Sequence, residues 1–232
     1  MIGETINAPY AEKFTVSNVF SSDMVVQRGE HIRVWGFADA SENGHKVSGE
    51  FMGMFAEALI ENGAWTLTFG ARLNACAEQG NSMRIYTDRT AFVFENVLVG
   101  DVFMVIGQSN VAYSMAAHRA AVPEAERGGV GYDVPSTPIR LHYNSLMQET
   151  GVTRGTEEVC TELRNRETWK RADAAAVQDF SALGYLFAAE YARATGVPVG
   201  VIEIDGNGQP IGAFLPNSVA EATGSDKWSE QK

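Results

Sequence analysis

Asp101-Val102-Phe103-Met104-Val105-Ile106-Gly107-Gln108-Ser109-Asn110 decides how this chain is read. The apolar run lacks alternation, the pattern of a strand buried on both faces, as in a parallel sheet covered by helices. Val97-Leu98-Val99 leads into it. Gly107 leaves room for a sharp turn, and the residues from about Val111 to Ala121 read as one helix that Pro123 ends. A serine so placed lies at the carboxyl end of a strand, where open α/β sheets bind ligands. Free amides and the positive end of the helix dipole surround it. The Ser109 backbone N–H is then a donor for a developing oxyanion, the geometry an acyl-transferring serine requires. Val111 occupies the last glycine position of a Gly-x-Ser-x-Gly elbow, so this corner is of another kind. By itself, a serine after a strand also describes a plain helix cap.

Downstream, the stretch Glu124 to Thr137 reads as a loop, and Ile139-Arg140-Leu141-His142-Tyr143 as a second strand. Residues 144–178 are polar and irregular, with Trp169 as the main apolar anchor. Ser181 is placed to cap a helix that presents Leu183, Leu186, Phe187 and Tyr191 at helical spacing, and Gly196 and Pro198 stop it. Val199 to Ile204 is a third strand, and Asp205 to Pro210 a glycine-rich turn. Strand, helix and strand in this order predict a doubly wound sheet.

Upstream, the pattern is that of short strands joined by turns. Ile32 to Phe37, Lys46 to Phe51, Phe55 to Ile60, Trp65 to Phe69 and Ser82 to Tyr86 are β candidates, and Asn43-Gly44 and Asn62-Gly63 are turn dipeptides. A β-sandwich is expected here.

The net charge of −11 argues against nucleic acid and anionic membrane as partners. No apolar run approaches the roughly 20 residues of a membrane span. Residues 1–13 contain Glu4 and Glu12 and lack an apolar core, so no signal peptide is read and a cytoplasmic location is expected, or a secreted one if the chain is trimmed. Cys76 and Cys160 make neither a disulfide framework nor, without matching histidines, a zinc site.

Several stretches together resemble the sialate O-acetylesterases, a family of the SGNH hydrolase superfamily. Leu98-Val99-Gly100-Asp101-Val102-Phe103 with Gly107-Gln108-Ser109-Asn110 is similar to its nucleophile block. Ser22-Asp23-Met24-Val25-Val26-Gln27-Arg28 and Ile32-Arg33-Val34-Trp35-Gly36 resemble its N-terminal β-domain. Ile139-Arg140-Leu141, Phe180 to Tyr185 and Gly196 to Ile202 resemble the elements that follow. The resemblance spans roughly residues 15–215. It implies a tail at residues 1–13, a β-sandwich at 14–98, and, at 99–232, the first portion of a three-layer α/β/α, flavodoxin-like SGNH domain. It further implies hydrolysis of acetyl esters of carbohydrates with Ser109 as nucleophile and no metal or organic cofactor. The resemblance also assigns the Ser109 and Gly208 amides to the oxyanion hole, and Gln108, Asn110, Asn207 and Gln209 to the substrate pocket. Where the family's third-strand turn reads Trp-Gly-Gly-Thr, this chain has Gly206-Asn207-Gly208-Gln209, which bears on substrate fit.

A serine hydrolase needs a base within hydrogen-bond reach of the nucleophile. The family's Asp-x-x-His and its later asparagine block do not occur in this sequence. His31 and His45 fall in the β region. His118 lies about 13 Å along a helix from Ser109 at 1.5 Å per residue. His142, near the carboxyl end of its strand, could come close, and otherwise reads as a structural histidine. Asp205 reads as an exposed loop residue or a pocket-lining one. With three sheet strands visible, the chain is expected to be a fragment, a split gene product or half of a pair with a second polypeptide. A non-catalytic carbohydrate-binding module presenting Trp35, Trp65 and Phe51, residues that also read as core, or an inactive remnant, are the alternatives.

Overall fold

Period-two alternation shapes the first half of the chain, and a short apolar strand pattern the second. The computed structural model of the protein describes residues 14–78, 80–127, 133–145, 168–206, 208–209, 214–215, 219 and 222. Along them run β1 (Phe14–Val16), β2 (Val25–Gln27), β3 (His31–Ala38), β4 (Lys46–Phe51), β5 (Met54–Leu59), β6 (Ala64–Arg72), β7 (Met83–Tyr86), β8 (Ala91–Phe94) and the long β9 (Leu98–Gly107). Then follow α1 (Ser109–Ala112), α2 (Met115–Ala121), β10 (Ile139–Ser145), β11 (Lys170–Arg171), α3 (Ala174–Asp179), α4 (Ala182–Thr195) and β12 (Val199–Asp205).

Two antiparallel sheets, β1-β3-β6 and β5-β4-β7-β8, make the first half. Over the first six residues of β3 and of β6 every second residue is buried. Asn62 and Gly63 both have positive φ (52° and 75°), the type I′ geometry whose twist matches the hairpin leading into β6. The inward side chains, among them Val34, Val47, Phe51, Leu67, Phe69, Met83 and Ile85, meet in one buried cluster. Phe14 stacks on Trp65 with ring centroids 5.2 Å apart. Of the three aromatics considered for sugar binding, Trp65 and Phe51 are therefore core. Trp35 is 38% exposed, with Phe20 edge-on to it.

The third sheet has the order β11-β10-β12-β9-β2. β10, β12 and β2 pair with their neighbours in parallel, and β11 adds to β10 antiparallel. β2 comes from the first half of the chain and lies against the start of β9, Val25 opposite Leu98 and Gln27 opposite Gly100. Its end is locked there. The Arg28 amide donates to the Gly100 carbonyl (2.7 Å), and the Val102 amide donates to Gln27 Oε1 (2.8 Å). Asp101 accepts two bonds from the Arg28 guanidinium (2.9 Å each), one from Gln27 and one from the Tyr191 hydroxyl. Arg28 above all, then Tyr191 and Gln27, hold the Asp101 carboxyl below its ordinary range. Asp101 is thus a structural clasp at the amino end of β9.

The three-layer α/β/α domain expected for the second half is not formed. Among the described residues the protein is mostly β-strands in three sheets, with four α-helices. The helices share one core with one face of the third sheet. Phe103, Val105, Ile139, Leu141, Val199 and Val201 pack there with Met115, Val177, Tyr185 and the alanines of α4. On the opposite face, Val102, Ile202 and Ile204 join Trp169 and the core of the antiparallel sheets. Trp169 is anchored by its indole N–H to the Val19 carbonyl (2.7 Å) and by its amide to Ser21 Oγ (2.9 Å). Nearer the carboxyl end this face is open: Met104 is 56% and Ile106 45% exposed. The unalternating apolar run of β9 was correctly a strand with two apolar faces, but its second cover is β structure and a tryptophan, not a helical layer.

The single helix expected at residues 111–121 is two. Ser114 breaks it by capping α2, its Oγ accepting from the Ala117 amide (3.2 Å). α4 begins and ends as its sequence predicts, with Ser181 Oγ accepting from the Gly184 amide and Gly196 left-handed at φ 67°. No helix among the described residues is long and apolar enough to cross a membrane. Residues 1–13 and Cys160 lie outside the described residues.

Candidate active site

β9 delivers Gln108, Ser109 and Asn110 to the carboxyl end of the third sheet, and all three are exposed. The backbone turns at Gln108 (φ −96°, ψ −138°) into α1, a single turn in which the Val111 and Ala112 amides donate to the Gln108 carbonyl. The turn is tight because residue 107 lacks a side chain: a Cβ there would lie 2.8 Å from Val111 Cγ2. A single helical turn has only a weak dipole.

The turn after β12 meets this corner. Asp205 stands opposite Gly107 in the parallel register, and the Gly206 amide donates to the Gly107 carbonyl at 2.9 Å. The Gln209 amide returns to the Gly206 carbonyl, and Gly208, exposed at φ 71°, adopts a conformation that favours glycine. Gln209 is half-buried in the same turn. Asn207 lies outside the described residues.

The far end of α1 is also tied. The Ala182 amide donates to the Tyr113 carbonyl (2.8 Å) and the Met115 amide to the Phe180 carbonyl (2.9 Å), making a bridge between Ser114 and Ser181.

No histidine hydrogen-bonds Ser109. His31 contacts the Phe69 carbonyl and His45 the Glu42 carboxylate, both in the first half. His118 on α2 packs edge-on to Tyr113. His142 does not approach Ser109 as its strand position suggested. It sits mid-strand, fully buried, with Trp169 5.4 Å away. β12 separates its strand from β9, which places it two strand spacings, about 10 Å, to the side.

Two carboxyls beneath the corner carry no sequence signature of catalysis. Asp205 is not an exposed loop residue: it ends β12, is 4% exposed, and its Oδ1 is buried without a hydrogen-bond partner. Glu203 is 1% exposed and accepts the Ser181 amide at 2.7 Å. Burial, and secondarily Asp205, push Glu203 up to about 8, against the opposing Ser181 bond. The available signal was an acid inside the apolar run Val199 to Ile204. One cleft lined by Leu141, Tyr143, Lys170 and Asp179, and another lined by His45, Lys46, Tyr86 and Asp88, do not border Ser109.

No protein-family model matches the chain, and no curated protein does. Among solved structures it is similar to a carbohydrate acetylesterase from Xanthomonas citri, with a TM-score of 0.71 and 24% sequence identity. The likeness is one of fold. It covers 92% of this chain but 44% of the other, so the chain spans less than half the length of its structural neighbour.

Proposed function

We propose that this chain carries the nucleophile of a carbohydrate O-acetyl esterase of the sialate O-acetylesterase kind. Ser109 Oγ attacks the acetyl carbonyl carbon of an O-acetylated sugar. The oxyanion is received by the Ser109 and Gly208 amides. The C–O bond to the sugar breaks, the sugar oxygen takes up the proton lost by Ser109, and water then releases acetate. Gln108, Asn110, Asn207 and Gln209 line the substrate's approach. The base that relays the proton lies outside the described residues.

One observation carries the reading: an exposed serine at a strand–helix corner, hydrogen-bonded through Gly107 to a glycine-containing turn on the next parallel strand. The fold likeness to a carbohydrate acetylesterase supports it. The test is acetate release from O-acetylated sialic acid, acetylated xylan and p-nitrophenyl acetate by the wild type and by S109A. Release that disappears in S109A supports the proposal; release that persists in S109A contradicts it.

The lack of a histidine bonded to Ser109 favours a second reading, an inactive or purely binding module. Glycan binding without turnover, unaffected by S109A, is its signature.

A further inference from the structure

The amide of a helix N-cap residue has no acceptor within its helix. The usual remedy is a Glu or Gln three residues on, reaching back in a capping box. In α4 that position is Gly184, which has no side chain. The acceptor comes instead from a neighbouring strand: Glu203 Oε2 takes the Ser181 amide at 2.7 Å, in a site where both residues are buried.

The Ser181 segment is also what holds the end of α1. Its neighbours Phe180 and Ala182 make the two backbone bonds to Met115 and Tyr113, and Tyr113 directly follows the turn that begins at Ser109. A four-residue helix has no stability of its own. Its place is set by its two ends, Gly107 on β9 and the bridge to Phe180–Ala182.

We propose that Glu203 is a positioning residue for Ser109: from β12 it holds the Ser181 amide, and through the bridge to Tyr113–Met115 it fixes the turn that carries the nucleophile. This rests on Ser109 being the nucleophile. Glu203 touches no reacting atom; it acts through backbone it does not belong to.

The surroundings make the brace sensitive to ionisation. Across the sheet Glu203 faces Val105 on β9 and Tyr143 on β10. Tyr185 lies buried on α4 in the core that covers this face, Lys170 and Asp179 line the cleft beside Tyr143, and Asp205 is the charged group coupled to Glu203. Burial makes ionising Glu203 costly, and the Ser181 amide bond, which favours the carboxylate, offsets that only in part.

The experiment measures the rate at which a fluorophosphonate modifies Ser109, between pH 6 and 9, in the wild type, E203Q and E203L, together with hydrogen exchange of the Met115 and Ala182 amides. E203Q keeps an acceptor oxygen and cannot ionise; E203L removes the acceptor. E203L is expected to slow Ser109 modification roughly tenfold to a hundredfold, the scale of an ångström-level displacement, and to expose both amides. E203Q is expected to match the wild type below about pH 8 and to react faster than it above, where the wild-type carboxyl ionises. Wild-type rates in a folded E203L overturn the inference while leaving the nucleophile intact. Should E203L not fold, a Ser181 amide that exchanges in the wild type as fast as an unprotected one overturns it, since the bond to Glu203 is then not made. Absence of modification in the wild type overturns both this inference and the nucleophile on which it rests.

Discussion

The Gly206 amide donates to the Gly107 carbonyl at 2.9 Å, so the turn after β12 and the corner after β9 are one unit. Neither strand alone makes the Ser109 site. The parallel register that sets Asp205 opposite Gly107 brings an exposed serine and a turn with a left-handed glycine side by side.

Gly107 is the tightest point of that unit. A methyl there would stand 2.8 Å from Val111 Cγ2, so G107A must shift the buried Val111 side chain or the turn that carries it. Modification of Ser109 by a fluorophosphonate is expected to slow by roughly tenfold or more. In a V111A background, where Cγ2 is gone, adding G107A is expected to change the rate less than twofold by the logic of a double-mutant cycle, for about the same fold.

Gly100 tests how β12 meets β9 at their amino ends. A Cβ on residue 100 would lie 2.0 Å from the Pro198 carbonyl oxygen and 2.7 Å from its carbon, both backbone. No side-chain rotation relieves this. G100A is expected to destabilise the protein by about 3 kcal/mol or more, read as a fall in the urea midpoint.

Glu203 makes stability depend on pH with a definite sign. Its folded value, about 8, lies above the ordinary 4.5, so its contribution is whole below about pH 4.5 and is lost as pH rises through 8. E203Q lacks this loss. The stability of E203Q relative to the wild type is expected to rise between pH 5 and pH 8 by on the order of 2 to 4 kcal/mol, then level off. Urea unfolding across that range checks it.

Asp23 serves two guanidiniums. Arg171 Nε donates to it at 2.8 Å, and Arg140, 4% exposed with Nε and Nη2 lacking hydrogen-bond partners, lies 4.0 Å away. Burial pushes Arg140 below its ordinary value, and Asp23 opposes that. Asp23 has φ 66°, which asparagine tolerates, so D23N removes charge without strain. It is expected to cost about 3 kcal/mol by leaving a buried cation uncompensated, whereas R140M is expected to be neutral or stabilising. D23N added to R140M is then expected to cost less than D23N alone, in thermal unfolding.

Local rules were legible in the residues, and tertiary cover was not. The Asn62-Gly63 hairpin, the Ser181 cap and the Gly196 terminus each follow from the chemistry of a few neighbouring residues. The strand at residues 101–106 was also legible, but its run of apolar side chains says only that both faces are covered. That Trp169 and the antiparallel core supply one cover, and that Met104 and Ile106 stay exposed, depends on contacts distant in sequence. The break at Ser114 was hidden because apolar residues continue through it, and β1, β2, β8 and β11 are too short to show a period. At the site, Ser109 was marked by its place after an apolar strand. Glu203 was not, since its partner Ser181 is another element's cap, and whether His142 was structural or near the site could not be decided without the strand order.

The Ser109 hydroxyl as nucleophile is tested by peptide mapping after reaction with a fluorophosphonate, on the wild type and S109A. The expected result is one adduct, on the peptide containing Ser109, absent from S109A. No adduct on that peptide, or one on another serine that persists in S109A, would contradict it.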